Sequence, residues 1–297
     1  MKIYNKHVLP HPDFYIVTFT KNPDKPYLLF IHGGPGFNSG IIEYLIEHHH
    51  FFNLLNDNII LYDQRNCGRS KIFPNSVSHQ DNINDLHTII CYLTNSVEIK
   101  IIGLMGHSYG AKLLFDYYNQ FHATVPAIFI SMANSILIPR LNNLLFDLLY
   151  LKKSSPDQYN KIMQTMDNMN LKKMWELSEK LTYLFQENKD RSYLYWANLD
   201  CLDRVTDVQK KINLPMNIEV FISVRKDLYS NESNFQITID SLSVPHLWVN
   251  GFHDFITNSV EGVLLSSKIT IFYQSSHYPH IEENDRVSTC INKFLLR

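Results

Sequence analysis

Ile99-Lys100-Ile101-Ile102-Gly103-Leu104-Met105-Gly106-His107-Ser108-Tyr109-Gly110 decides the fold of this 297-residue chain. The apolar run at 99–104 reads as a buried strand, and the amphipathic stretch 109–121 that follows reads as a helix. Between them lies Gly-His-Ser-Tyr-Gly, a G-x-S-x-G pattern at a strand-to-helix turn. A serine hydroxyl is too weak an acid to attack a carbonyl unaided. A strained turn presents its oxygen to an imidazole, and small flanking residues prevent clashes.

Working outward, 27–31, 58–62, 127–131, 244–249 and 268–273 are further short apolar runs. The first three alternate with helical stretches at 41–55, 80–94 and 109–121, the pattern of a mostly parallel sheet with crossover helices. The run His48-His49-His50 falls inside the 41–55 stretch and reads as a solvated helix end. Upstream of the serine, His32-Gly33-Gly34-Pro35-Gly36 follows the strand ending at Ile31. Backbone N–H groups of such a turn can approach a ligand closely, which suits Gly34 as one donor of an oxyanion hole, with the N–H of Tyr109 as the other.

A serine nucleophile needs a base and an acid that orients it, following in the order acid then histidine. Asp254 comes after the strand at 244–249, in Asn250-Gly251-Phe252-His253-Asp254, and His277 after the strand at 268–273, in Ser275-Ser276-His277-Tyr278-Pro279-His280. Both therefore occupy carboxyl ends of strands, where sites of open α/β sheets gather. His280 competes with His277 for the base, and Asp240 with Asp254 for the acid. His253, His277 and His280 could suggest a metal, but no H-E-x-x-H spacing is present and hydrolysis by this constellation needs no ion. No cofactor is expected. His107 is expected to bond or pack near the turn, and Asp63 to pin its loop through Arg65 or Arg69.

From about residue 134 the texture becomes helical, at 141–150, 157–169 and 171–186. This places an inserted cap at 135–240 within a core made of 1–134 and 241–297. The segment 218–239 is ambiguous: Val220-Phe221-Ile222 could be a strand, while 229–234 reads as a loop. A closing helix is expected over 283–296.

With 27 Lys+Arg against 29 Asp+Glu, a net charge of -2, the chain has no basic footprint for nucleic acid. At 45% hydrophobic and 19% charged it has a folding composition, which excludes a disordered or collagen-like chain. No membrane span and no apolar signal core are visible, and four widely spaced cysteines suit a reducing compartment; the expectation is a cytoplasmic protein.

Together, 32–36, Asp63-Gln64-Arg65-Asn66-Cys67-Gly68-Arg69-Ser70, 106–110, Gly251-Phe252-His253-Asp254 and Ser276-His277-Tyr278-Pro279-His280-Ile281-Glu282-Glu283 resemble the α/β-hydrolase superfamily. Within it they look like the proline iminopeptidase-like serine aminopeptidases. The resemblance implies a nucleophile at Ser108, an acid at Asp254, a base at His277, oxyanion donors at Gly34 and Tyr109, and a helical cap. In that family an acid in a Trp-x-x-Trp-Glu stretch of the cap binds the substrate's free amino group. Trp196-Ala197-Asn198-Leu199-Asp200 echoes it, which implies substrate-binding roles for Trp196 and Asp200. His107 before the serine is closer to the esterase pattern. The expected ligand is a short peptide or aminoacyl amide, with small esters, lactones and amides as the alternative and a ligand-binding module without turnover as a different class.

Overall fold

The computed structural model describes residues 4–133, 137–166, 169–185, 189–230, 242–257 and 269–296. Eight strands form one sheet in the order β1-β2-β4-β3-β5-β6-β7-β8. They are β1 (Asn5–Leu9), β2 (Ile16–Thr20), β3 (Tyr27–Ile31), β4 (Asn58–Tyr62), β5 (Ile101–His107), β6 (Ala127–Ile130), β7 (His246–Gly251) and β8 (Ile269–Phe272). From β4 to β8 every pairing is parallel, whereas β1 and β2 are antiparallel to their neighbours. That N-terminal hairpin is absent from the sequence reading. Its first strand is nearly all exposed, so it shows no buried apolar run to detect.

Alternation along the strands feeds two cores. Leu28, Phe30, Met105, Ile128 and Val249 face one side, under α1 (Gly40–His48) and the C-terminal helix Asn284–Leu295. Leu29, Ile31, Leu104, Phe129 and Trp248 face the other, under α2 (His79–Cys91) and α3 (Tyr109–Phe121). A sheet buried on both faces gives continuous apolar runs rather than alternation, which is why these strands were visible.

Helix α1 ends at His48 instead of running through residue 55. The three histidines are exposed, so extending the helix would bury nothing there, and the chain turns at His50 (φ 56°) and Phe52 (φ 58°) to bring Phe51 and Phe52 into the core. Tyr4 fixes that turn by donating to the Phe52 carbonyl at 2.7 Å. The closing helix begins at Asn284, after a separate short helix at Pro279–Glu282.

Between β6 and β7 the chain inserts a helical region: α4 (Leu137–Ser154), α5 (Pro156–Met166), α6 (Leu171–Leu184), a 3-10 turn at Lys189–Leu194, α7 (Leu199–Ile212) and α8 (Ile218–Ser230). Residues Val220 to Ile222 are therefore helical and not a strand. Asn217 starts α8 by accepting from the N–H groups of Glu219 (3.0 Å) and Val220 (3.3 Å), and Val220, Val224 and Leu228 then recur on one inward face. Tyr229 and Ser230 finish this helix, so only residues 231–234 of the expected loop remain, and they lie outside the described residues. Among the described residues no helix is long and apolar enough to cross a membrane.

The turn after β5 is built by close approach. A Cβ on Gly106 would lie 2.4 Å from the Gly110 carbonyl oxygen, and one on Gly110 would lie 2.3 Å from that of Ile31. Gly110→Ala should therefore lower unfolding free energy by about 2 kcal/mol or more, the cost of overpacking against backbone. Gly103→Ala, whose new Cβ would meet its neighbours at 3.2 Å, should cost less. Chemical denaturation of the two variants checks the order.

Candidate active site

Ser108 sits at the tip of the turn between β5 and α3 with φ 54° and ψ -118°, a backbone region that non-glycine residues rarely occupy. Its N–H donates to the Ile130 carbonyl at 2.8 Å, so the end of β6 holds the turn in place. Its Oγ lies 2.9 Å from Nε2 of His277, and Nδ1 of the same ring lies 3.1 Å from Oδ2 of Asp254. A carboxylate only accepts, so Nδ1–H donates to Asp254, and Nε2 is left to accept the Ser108 hydroxyl.

Asp254 is fully enclosed, and its two oxygens also accept from the N–H groups of Ile256 (2.9 Å) and Thr257 (3.0 Å) and from the Thr257 hydroxyl. Burial would push this carboxyl's pKa up, but the neighbouring His277 and the Thr257 hydrogen bonds outweigh it and hold the group below the usual carboxylate range. It stays an anion where the imidazole needs one.

The structure thus brings together Ser108, Asp254 and His277, and places the rival histidines His280 and His253 differently. His280 is buried against Phe30, Phe51 and His107, and burial with the nearby His277 pushes its pKa down to about 3. His253 is exposed. Asp240 lies outside the described residues. Nε2–H of His107 donates to the backbone carbonyl of His277 at 2.8 Å, tying the serine turn to the histidine loop.

Gly34 lines the space in front of Ser108, and Tyr109 is the first residue of α3, where backbone N–H groups have no helical acceptor. The Tyr109 side chain is anchored away from the site by Asn82 (2.8 Å) and His79 (3.1 Å), so its main chain is fixed. The loop at 32–36 is held by His32, whose Nδ1–H donates to Gly33 and whose Nε2 accepts from the Gln64 N–H. Of the two arginines considered for Asp63, Arg69 takes it (2.9 Å), and Arg65 pairs with Asp85.

Two cavities meet at Ser108 and His277. One, of about 270 Å³, runs beneath α4 and α8; the other, of about 500 Å³, runs past Trp196, Leu202 and Met216. Trp196 is buried and stacks on Tyr278 with ring centres 4.3 Å apart, lining the second cavity. Asp200 is exposed in the first turn of α7 and lines neither. No Asp or Glu lines either cavity among the described residues. Sequence reasoning missed Arg140, Arg191 and Tyr195, which do line the space beside Ser108. Helical periodicity marks inward faces but not which inward polar residue meets a ligand.

The inserted region is fastened to both loops of the site. The Asn217 N–H donates to the Gly36 carbonyl (2.8 Å), and the His277 N–H donates to that of Tyr195 (3.0 Å). Glu282 accepts from the N–H groups of Ala197, Asn198 and Ser276, each at 2.7 Å.

A family model described as the alpha/beta hydrolase fold matches residues 26–282. The chain is 36% identical over 109 residues to a Mycoplasma genitalium protein provisionally named a proline iminopeptidase, a match that spans 37% of this chain and about a third (33%) of that protein. It is 24% identical over 279 residues to the proline iminopeptidase of Saccharolobus solfataricus, covering 90% of this chain and 84% of the relative. The crystal structure of a proline iminopeptidase-related protein from Thermus thermophilus superposes with a TM-score of 0.63 at 15% identity, covering 99% of this chain and 97% of that one. That likeness establishes the fold, and the sequence matches establish distant homology to proline iminopeptidases across most of the chain.

Three histidines around the site, His32, His107 and His280, are buried, and burial lowers the pKa of each. As pH falls below about 6.5 the unfolded chain takes up protons that the folded chain refuses, so stability present above that pH is lost on acidification. For His280, held down at about 3, the expected loss is about 1.4 kcal/mol at pH 5.5, and His32 and His107 add to it in the same direction. Urea unfolding at pH 7.5 and 5.5 checks it, and His280→Gln should reduce the difference by about one such increment.

Proposed function

Because the chain belongs to the α/β hydrolase fold family, we propose that it is a serine hydrolase acting on a small ester or amide through Ser108, His277 and Asp254. The continuous 2.9 Å and 3.1 Å contacts from Ser108 Oγ through the imidazole to Asp254 carry this reading. Ser108 attacks the substrate carbonyl while Nε2 of His277 takes its proton, and Asp254 stabilises the imidazolium that forms. The N–H groups of Gly34 and Tyr109 hold the oxyanion. Collapse expels an alcohol or amine that receives the proton from His277, and water, activated by the same ring, releases the acyl group. The two cavities give the acyl and leaving-group halves separate space on either side of Ser108.

Aminopeptidase activity of the proline iminopeptidase type is the second reading, favoured by the Saccharolobus solfataricus relative. It requires an acid for the substrate's ammonium, and the cavity linings supply none among the described residues. A panel of aminoacyl amides against short acyl esters separates the two.

Ser108→Ala should abolish hydrolysis of the best substrate of that panel and labelling by a fluorophosphonate, while circular dichroism stays unchanged. Asp254→Asn should lower kcat by about four orders of magnitude, since an amide facing Nδ1 no longer enforces the useful tautomer. Hydrolysis retained in purified Ser108→Ala would remove the serine from the mechanism.

A further inference from the structure

The smaller cavity beside Ser108 is lined by four cations, Lys112, Arg140, Arg191 and Arg225, and by no carboxylate among the described residues. Two of these charges are already answered. Lys112 pairs with Asp116, and Arg191 pairs with the buried Asp147 and donates to Asn143 at 2.7 Å. Arg140 is different. It is only 7% exposed, its Nε–H has no acceptor among the described residues, and its ion-pair partner among those residues is Glu179, reached by Nη2 at 3.1 Å. The Glu179 side chain is 56% exposed, so water screens most of what it offers.

The Arg140 guanidinium lies over the Trp175 ring at 4.2 Å, and Arg225 approaches the same ring at 5.7 Å and Phe221 at 4.6 Å. Two guanidinium groups thus converge on one aromatic wall of the cavity. Burial outweighs the pull of Glu179 and lowers the Arg140 pKa, the sign of a charge whose compensation is incomplete. Arginine does not escape by losing its proton, so an enclosed guanidinium with a spare donor is stabilised by a bound anion. A free ammonium in the same place would meet repulsion from Arg140 and Arg225, with no carboxylate among the described lining residues to offset it.

Resting on the serine hydrolase reading above, we infer that the acyl half of the substrate carries a carboxylate, seated in the cavity beneath α4 and α8 and held by Arg140 with Arg225 beside it. The bond chemistry is unchanged: a monoester of a short dicarboxylic acid and water give the free diacid and the alcohol. Arg140 acts as a specificity residue, since its contact is with the distal carboxylate and not with the reacting carbonyl.

The test compares 4-nitrophenyl hemiglutarate with 4-nitrophenyl valerate, which match in chain length and differ in the terminal charge. Wild type should favour the hemiglutarate in kcat/KM by about tenfold or more, and Arg140→Gln should lower that value by about ten- to a hundredfold, the worth of one charge-assisted hydrogen bond. Valerate turnover should change by less than about threefold, since that ester gives the guanidinium nothing to bond. Arg140→Lys, which keeps the charge, and Arg225→Gln, which alters a half-buried side chain, should each show a smaller selective loss; they keep the inference testable if Arg140→Gln fails to fold. Equal turnover of the two esters by wild type, or equal loss on both in every folded variant, overturns the inference. Fluorophosphonate labelling of Ser108 run alongside distinguishes the failures. Labelled protein without charge preference removes the carboxylate substrate and leaves the hydrolase, whereas unlabelled protein inert to both esters removes both.

Discussion

At Ser108 the chain must leave a strand, enter a helix and still point its side chain at a histidine 169 residues further on. The φ of 54° that achieves this is costly for a residue with a Cβ, and it persists because the surroundings over-determine it. Strand β5 runs between β3 and β6, the N–H of Ser108 is held by Ile130, and α3 packs so close to the end of β3 that Gly110 cannot carry a side chain. Strain at one residue is thus balanced by the rigidity of three parallel strands and one helix. The same arrangement points the start of α3, with its uncommitted N–H groups, at the place where charge would develop.

The groups facing Ser108 are fixed in the same manner, by main chain more than by side-chain packing. The carboxyl of Asp254 is surrounded by donors from its own turn, which orients it and keeps it ionised inside the protein. His277 is held through its ring by Asp254, through its carbonyl by His107 and through its N–H by Tyr195. Three separate segments therefore fix one imidazole, and each supplies a bond that the others cannot replace.

The residues that meet at the site were legible in the sequence because they sit at ends of buried strands, where an apolar run stops and a Gly, Ser, Asp or His follows. Ser108, Asp254 and His277 all have that local signature. In the N-terminal hairpin β1 lacked it, being a solvated edge strand with one buried residue of five, and in β2 the buried run Ile16-Val17-Thr18-Phe19-Thr20 is broken by a threonine and ends on no such residue. In 218–230, Val220-Phe221-Ile222 has the composition of a strand, and only the Asn217 cap and the spacing to Val224 and Leu228 make it a helix. The cavity-lining arginines were invisible for a further reason. Arg140 and Arg191 look like ordinary polar residues of amphipathic segments, and it is the packing of α4, α6 and the 3-10 turn around them that removes water from their charges.

Glu282 accepts from Ala197 and Asn198 on one oxygen and from Ser276 on the other, so the segment bearing Tyr195 and Trp196 and the loop bearing His277 share one clasp. Displacing 189–198 far enough to open the cavities would also break the bond from the His277 N–H to Tyr195, one of the three that hold that residue. The covering segment and the histidine loop are therefore coupled and do not move independently. If His277 is the base proposed above, a ligand that packs well under 189–198 also steadies that ring, and its binding energy appears as faster turnover more than as tighter capture.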